Sequence, residues 1–130
     1  MRQVIIDTLN NWNFELPLTV KATFIQKGND QPLTGDEYTV RLYDRDLFED
    51  DYLGKSALDS HGTATITFSP ADYSSADSPG EAFPDLYLLL FKGDVVHFQS
   101  KVMDEVDFNG IGPLKPELGA VLDFGTFLVD

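Results

Sequence analysis

The sequence has 130 residues and a formal net charge of −13, with 42% hydrophobic and 24% charged residues. That length and composition suit one domain with an ordinary apolar core, so we expect a single domain over residues 1–130. There is no cysteine, which excludes disulfides and thiolate chemistry, and the acidic charge balance argues against binding to the phosphate backbone of nucleic acid.

The first half of the chain alternates apolar and polar residues with a period of two. The pattern is clearest at residues 18–24, where four apolar residues are separated by threonine and lysine. Such alternation is typical of a strand that buries one face. On the same grounds we expect further strands at residues 38–42, 53–58 and 63–68.

The second half of the chain predicts three more strands. Residues 86–91 are apolar at successive positions, which favours a central strand covered on both sides. A turn at Lys92-Gly93-Asp94 leads into a strand at residues 95–102. The last strand covers residues 121–129, with Gly125 as a candidate bulge. Residues 103–119 are rich in glycine and proline and are expected to form a loop.

These strands define the fold class. A helix start is indicated only at Ser69-Pro70, and little follows that could extend it. We therefore predict an all-β fold, a two-sheet antiparallel β-sandwich of seven to eight short strands, with at most one short helix near residues 70–77.

The segment from Asp44 to Asp51 carries five acidic residues against one arginine, a charge of −4. Calcium prefers six to eight oxygen ligands, several of them carboxylates. The candidate ligands are Asp44, Asp46, Asp50 and Asp51, with Ca²⁺ as the candidate cofactor. The spacing is not that of an EF-hand, because phenylalanine and glutamate stand where an oxygen ligand and a glycine are required.

The same acidic residues also have a simpler interpretation. They can be solvated, or can accept hydrogen bonds from turn amides. Phe48 and Tyr52 lie within or beside this segment. Either they form an exposed contact at a binding tip, or one of them folds back to cover the end of the sandwich. Of these two, the fold-back is the prediction.

Several short motifs resemble the transthyretin-like (prealbumin-like) β-sandwich family. They are QPLTG at residues 31–35, VRLYDRD at residues 40–46, DDYLG at residues 50–54 and LDSHG at residues 58–62. The resemblance covers roughly residues 18–129 and implies a β-sandwich. The enzymatic branch of that family hydrolyses hydroxyisourate and ends in a Tyr-Arg-Gly-Ser signature. This chain ends in GTFLVD and its histidines do not match, so that activity is not carried over.

A second, partial resemblance concerns the calcium loop of C2 domains. DRD at residues 44–46 followed by DDYLG at residues 50–54 is similar to that loop, although the spacing to the final aspartate is one residue short. The resemblance implies the same four aspartates as calcium ligands.

Catalysis is not expected from this sequence. His61 lies in a predicted turn and His97 at a solvent-facing strand position. Two histidines without cysteine leave few ways to build a zinc or iron site. Cofactors and catalytic residues are therefore predicted to be absent, apart from the calcium candidate.

The expected function is that of a non-catalytic interaction module, which binds a protein partner through acidic end loops, with a basic protein as the candidate partner. The alternative is calcium-dependent binding of a lipid headgroup or a carbohydrate through the segment 44–51. A homo-oligomer formed through an exposed edge strand is also open. No transmembrane span or leader is expected, which favours the cytoplasm.

Overall fold

The computed structural model describes residues 17–69, 84–104, 106, 114–115 and 119–130. Eight strands lie in these ranges: β1 (Leu18–Gln26), β2 (Tyr38–Asp44), β3 (Asp51–Ala57), β4 (Thr63–Phe68), β5 (Leu86–Lys92), β6 (Val95–Gln99), β7 (Leu114–Lys115) and β8 (Gly119–Val129). The prediction of an all-β fold is confirmed. The predicted short helix near residues 70–77 lies outside the described residues.

The strands form two sheets of four. Sheet 1 has the order β4-β1-β8-β7, and sheet 2 has the order β3-β2-β5-β6. The predicted two-sheet sandwich is therefore confirmed. One pair differs from an antiparallel arrangement, because β1 and β8 run parallel. A parallel pair needs a long crossover, and these two strands stand at opposite ends of the chain.

Period-two alternation builds the core between the sheets. In β2 the buried positions Tyr38, Val40, Leu42 and Asp44 alternate with half-buried ones. The β4 strand buries Ala64, Ile66 and Phe68 in the same way, and threonine occupies its outward positions. These strands turn their apolar face inward because this removes apolar surface from water, which is worth about 25 cal/mol per Å².

The two sheets meet along the β3 and β4 strands. Ser56 Oγ accepts a hydrogen bond from the backbone N–H of Thr65 at 3.1 Å, which joins β3 to β4. Three aromatic rings join the sheets at another point. Phe24 of β1 lies 5.5 Å from Phe127 of β8 and 6.1 Å from Phe98 of β6, measured between ring centroids. Phe24 is fully buried, so this cluster is part of the core.

The outer faces of the two sheets differ in chemistry. On sheet 1, the strand register places Thr19, Thr23, Thr63, Thr65 and Thr67 outward. Thr19 bonds to Thr67 and Thr23 bonds to Thr63 through their hydroxyl groups, at 2.9 and 2.8 Å. The outer face of sheet 2 is aromatic instead, with Tyr43 stacked on Tyr87 at 5.4 Å. The prediction that β5 is central is confirmed, since β5 lies between β2 and β6.

The connections follow their predicted chemistry. In the turn at residues 59–62, Asp59 Oδ1 accepts hydrogen bonds from the backbone N–H groups of Thr63 and His61, and these bonds lower the pKa of Asp59. His61 is thus a turn residue, as predicted. The register between β1 and β8 shifts beside Gly125, which confirms the predicted bulge.

Within the described residues there is no helix long and apolar enough to span a membrane.

Candidate functional site

The candidate site is the acidic loop, residues 44–51, which connects β2 to β3. Asp44 and Asp51 are the last cross-strand pair of these two strands. Residues 45–50 therefore project from one end of sheet 2. Each end of the loop is fixed by the sheet, since β2 also pairs with β5 along its whole length.

Asp44 is a structural residue at the base of the acidic loop. It has 0% exposure, because it faces the core like the alternate positions before it in β2. Its Oδ1 accepts a hydrogen bond from the backbone N–H of Asp85 at 3.0 Å. The backbone N–H of Arg45 donates to the carbonyl oxygen of Asp85 at 2.7 Å. These bonds attach the loop to the chain just before β5.

Asp50 holds the loop in shape from its other end. Its Oδ1 accepts a hydrogen bond from the backbone N–H of Asp46 at 3.0 Å, across the loop. Its Oδ2 accepts one from the hydroxyl of Tyr87 in β5. Burial, and then this hydrogen bond to Asp50, raise the pKa of Tyr87 well above its usual range. Tyr87 therefore keeps its proton, and remains the donor, throughout the physiological pH range.

The tip of the acidic loop carries two adjacent apolar side chains. Leu47 is 88% exposed and Phe48 is 87% exposed. The prediction that an aromatic residue folds back over the end of the sandwich is therefore wrong for Phe48. Tyr52 is 51% exposed and lies on the outer face of sheet 2, where its ring is 5.7 Å from Tyr43. Neither Leu47 nor Phe48 reaches the core, because the loop is short and both of its ends are fixed in sheet 2.

The four predicted calcium ligands are brought to one end of sheet 2, but not into one cluster. Asp44 and Asp50 each use carboxylate oxygen to bind protein donors, and Asp46 Oδ1 accepts from the backbone N–H of Leu47 at 2.7 Å. In the part of the chain that the structure describes, no group of three or more Asp, Glu or His side chains could hold a metal ion. The calcium site remains a prediction.

Sequence reasoning located the loop but missed Tyr87 and the backbone of Asp85. Both lie far from the loop in sequence, because Tyr87 is 37 positions after Asp50 and Asp85 is 41 positions after Asp44. The one signal for Tyr87 is a hydroxyl-bearing residue inside an otherwise leucine-rich strand. A buried tyrosine hydroxyl usually finds a hydrogen-bond partner, but the pattern of the strand does not name that partner.

Comparisons with known proteins bear on the fold. No protein-family model matches the chain, and no curated protein matches it. A solved structure of a 9R-lipoxygenase from Cyanothece PCC8801 is similar, with a TM-score of 0.60 and 21% sequence identity. The alignment covers 98% of this chain and 20% of that chain, so the chain spans about a fifth of the lipoxygenase. At this identity the likeness concerns the fold alone.

Proposed function

We propose that the chain is a non-catalytic interaction module that binds a protein partner through the acidic loop. The observation that carries the proposal is the exposure of Leu47 and Phe48, two adjacent apolar residues at the loop tip. Large side chains exposed together favour a contact surface, since water is removed from them on binding.

The hydrogen bonds at the base of the loop support this proposal. Asp44 and Asp50 accept bonds from Asp85, Asp46 and Tyr87. A loop that is already ordered loses less conformational entropy when it binds, so more of the contact energy appears as affinity. In this role the two aspartates position the tip, while Leu47 and Phe48 make the contact.

The charge of the loop favours a basic partner. The acids of residues 44–51 outnumber the single arginine by four. Such a surface speeds the encounter with a positively charged patch and disfavours acidic competitors. We therefore expect the partner to present an apolar pocket flanked by lysine or arginine.

Calcium-dependent binding of a lipid headgroup or carbohydrate is the alternative use of the same loop. It would require Asp44, Asp46, Asp50 and Asp51 to converge on an ion, which they do not do in the described structure. The hydrogen bonds made by Asp44 and Asp50 favour the protein-binding proposal instead. Membership of the transthyretin-like family stands beside this function as a further proposal, which rests on the sequence motifs.

A photoreactive phenylalanine analogue at position 48 tests the proposed function. In an extract of the cells that produce the chain, it should form an adduct with a specific protein. The same analogue at position 95 is the control, because Val95 is 69% exposed but lies in β6, away from the loop. Excess wild-type protein should suppress the adduct.

The matched competitor is the double variant Leu47→Ser and Phe48→Ser. Both residues are exposed, so the variant should fold with unchanged thermal stability. It should compete about 30-fold more weakly than wild type, as expected when a contact worth about 2 kcal/mol is lost. Equal competition by the variant, or adducts no stronger at position 48 than at position 95, would contradict the proposal.

A further inference from the structure

The outer face of sheet 2, which we call the aromatic face, has the composition of a contact surface. Its large side chains are Tyr43, Tyr52, Leu89, Phe91 and Val96, placed by the strand register around Tyr87, which is itself buried. Tyr52 is 51% exposed and Val96 is 47% exposed. None of the outward strand positions of this face carries an acidic residue, in a chain with 22 acids and 9 bases.

Two positive charges lie on the aromatic face. Arg41 and Lys55 are directly opposite each other on β2 and β3. The Arg41 guanidinium carbon lies 4.6 Å from the ring centroid of Phe91 and 5.9 Å from that of Tyr52. Among the described residues, the one salt bridge joins Lys27 to Asp130, so neither Arg41 nor Lys55 is paired with a carboxylate there. The aromatic face therefore fits a group that is both apolar and anionic.

The tip of the acidic loop is such a group. Leu47 and Phe48 supply exposed apolar surface, and the next residue, Glu49, supplies an exposed carboxylate. Within one molecule the base of the loop touches the aromatic face, where Asp50 accepts a hydrogen bond from Tyr87. The tip does not pack on that face, since Leu47 and Phe48 are 88% and 87% exposed. The tip is therefore free to meet the aromatic face of a second molecule.

We propose that the partner of the acidic loop is a second copy of this chain, which receives the loop on its aromatic face. This inference rests on the proposed function of the loop and names its partner. The contact joins two different surfaces, so it is heterologous. In a dimer, one copy keeps a free loop and the other copy keeps a free aromatic face, so further copies can add. At physiological ionic strength charges are screened beyond about 8 Å, which weakens the repulsion between two acidic copies.

Sedimentation velocity of the purified protein, at physiological salt and increasing concentration, tests the proposal. The weight-average mass of wild type should rise steadily above the 14.5 kDa of one chain. The loop variant Leu47→Ser and Phe48→Ser should stay monomeric, and so should the face variant Arg41→Glu and Lys55→Glu. Lys21→Glu is the charge control for the single variant Lys55→Glu, since Lys21 lies on sheet 1 opposite Thr65, and it should associate like wild type.

Mixing the two variants gives the decisive result. The loop variant keeps an intact face and the face variant keeps an intact loop, so together they should form a one-to-one dimer that does not grow further. Such a rescue also shows that both variants are folded. Lys55→Glu alone, at an exposed position, is a milder face variant, and it should weaken association roughly tenfold.

A wild-type protein that stays monomeric at every concentration, or a mixture that does not dimerise, would overturn the proposal. An adduct at position 48 with a different protein would then leave the proposed function standing. Absence of both the self-association and the specific adduct would remove the proposed function as well.

Discussion

Phe24→Ala is expected to lower the free energy of unfolding by about 3–5 kcal/mol. Phe24 is fully buried, and its ring contacts Phe127 in its own sheet and Phe98 in the other. Truncation removes the transfer free energy of the ring and leaves a cavity between two sheets that cannot collapse around it. Urea denaturation should show a lower midpoint with an unchanged slope.

The matched control for this truncation is Leu128→Ala. Leu128 is the neighbour of Phe127 in β8 but is half-exposed, so its loss should cost about 0.5 kcal/mol or less. A Phe24→Ala variant that loses no more stability than Leu128→Ala would show that the phenylalanine cluster does not hold the two sheets together.

Gly62→Ala is expected to be more disruptive than the same change at Gly28, Gly35, Gly54, Gly93 or Gly125. Gly62 has φ of +76°, and an added Cβ would lie 2.5 Å from the carbonyl oxygen of Phe24 and 3.2 Å from the backbone nitrogen of Leu33. Backbone atoms at that distance cannot move aside without distorting β1. The cost should be about 1–3 kcal/mol beyond that of the positive φ.

Gly93→Ala separates the two contributions. Gly93 has φ of +63°, but nothing lies within 4 Å of its added Cβ. It should therefore lose only the conformational part, about 1–2 kcal/mol. Equal losses in the two variants, measured by urea denaturation, would contradict the close approach of the 59–62 turn to β1.

The strands that alternate regularly could be predicted from the sequence. The β1, β2 and β4 strands each bury one face, and their apolar positions are separated by single polar residues. The direction of β8 could not be predicted, because alternation reports which face is buried and not which neighbour a strand pairs with. The strand predicted at residues 95–102 ends at Gln99 in the structure. The Ser100 backbone N–H still donates to the Leu88 carbonyl at 3.0 Å, but the Leu88 N–H donates to the Ser100 hydroxyl and not to a backbone carbonyl.

The acidic loop was predicted as a feature, but the roles within it were not. A run of aspartates is compatible with an ion site, a solvated loop or a set of hydrogen-bond acceptors. The choice depends on which donors the fold brings near, and here the donors come from Asp85 and Tyr87. The exposure of Phe48 was likewise hidden, since sequence does not reveal how tightly the two ends of a loop are fixed.

Whether Asp50 binds protein donors or an ion is the central question for the acidic loop. Thermal unfolding of wild type and Asp50→Ala, each with calcium or with magnesium, answers it most directly. We expect Asp50→Ala to lower the melting temperature by about 3–6 °C in either salt, through the loss of about 1 kcal/mol of hydrogen bonding. Wild type should unfold at the same temperature in both salts. A rise of several degrees in calcium alone, abolished by Asp50→Ala, would contradict the account and make the loop a calcium site.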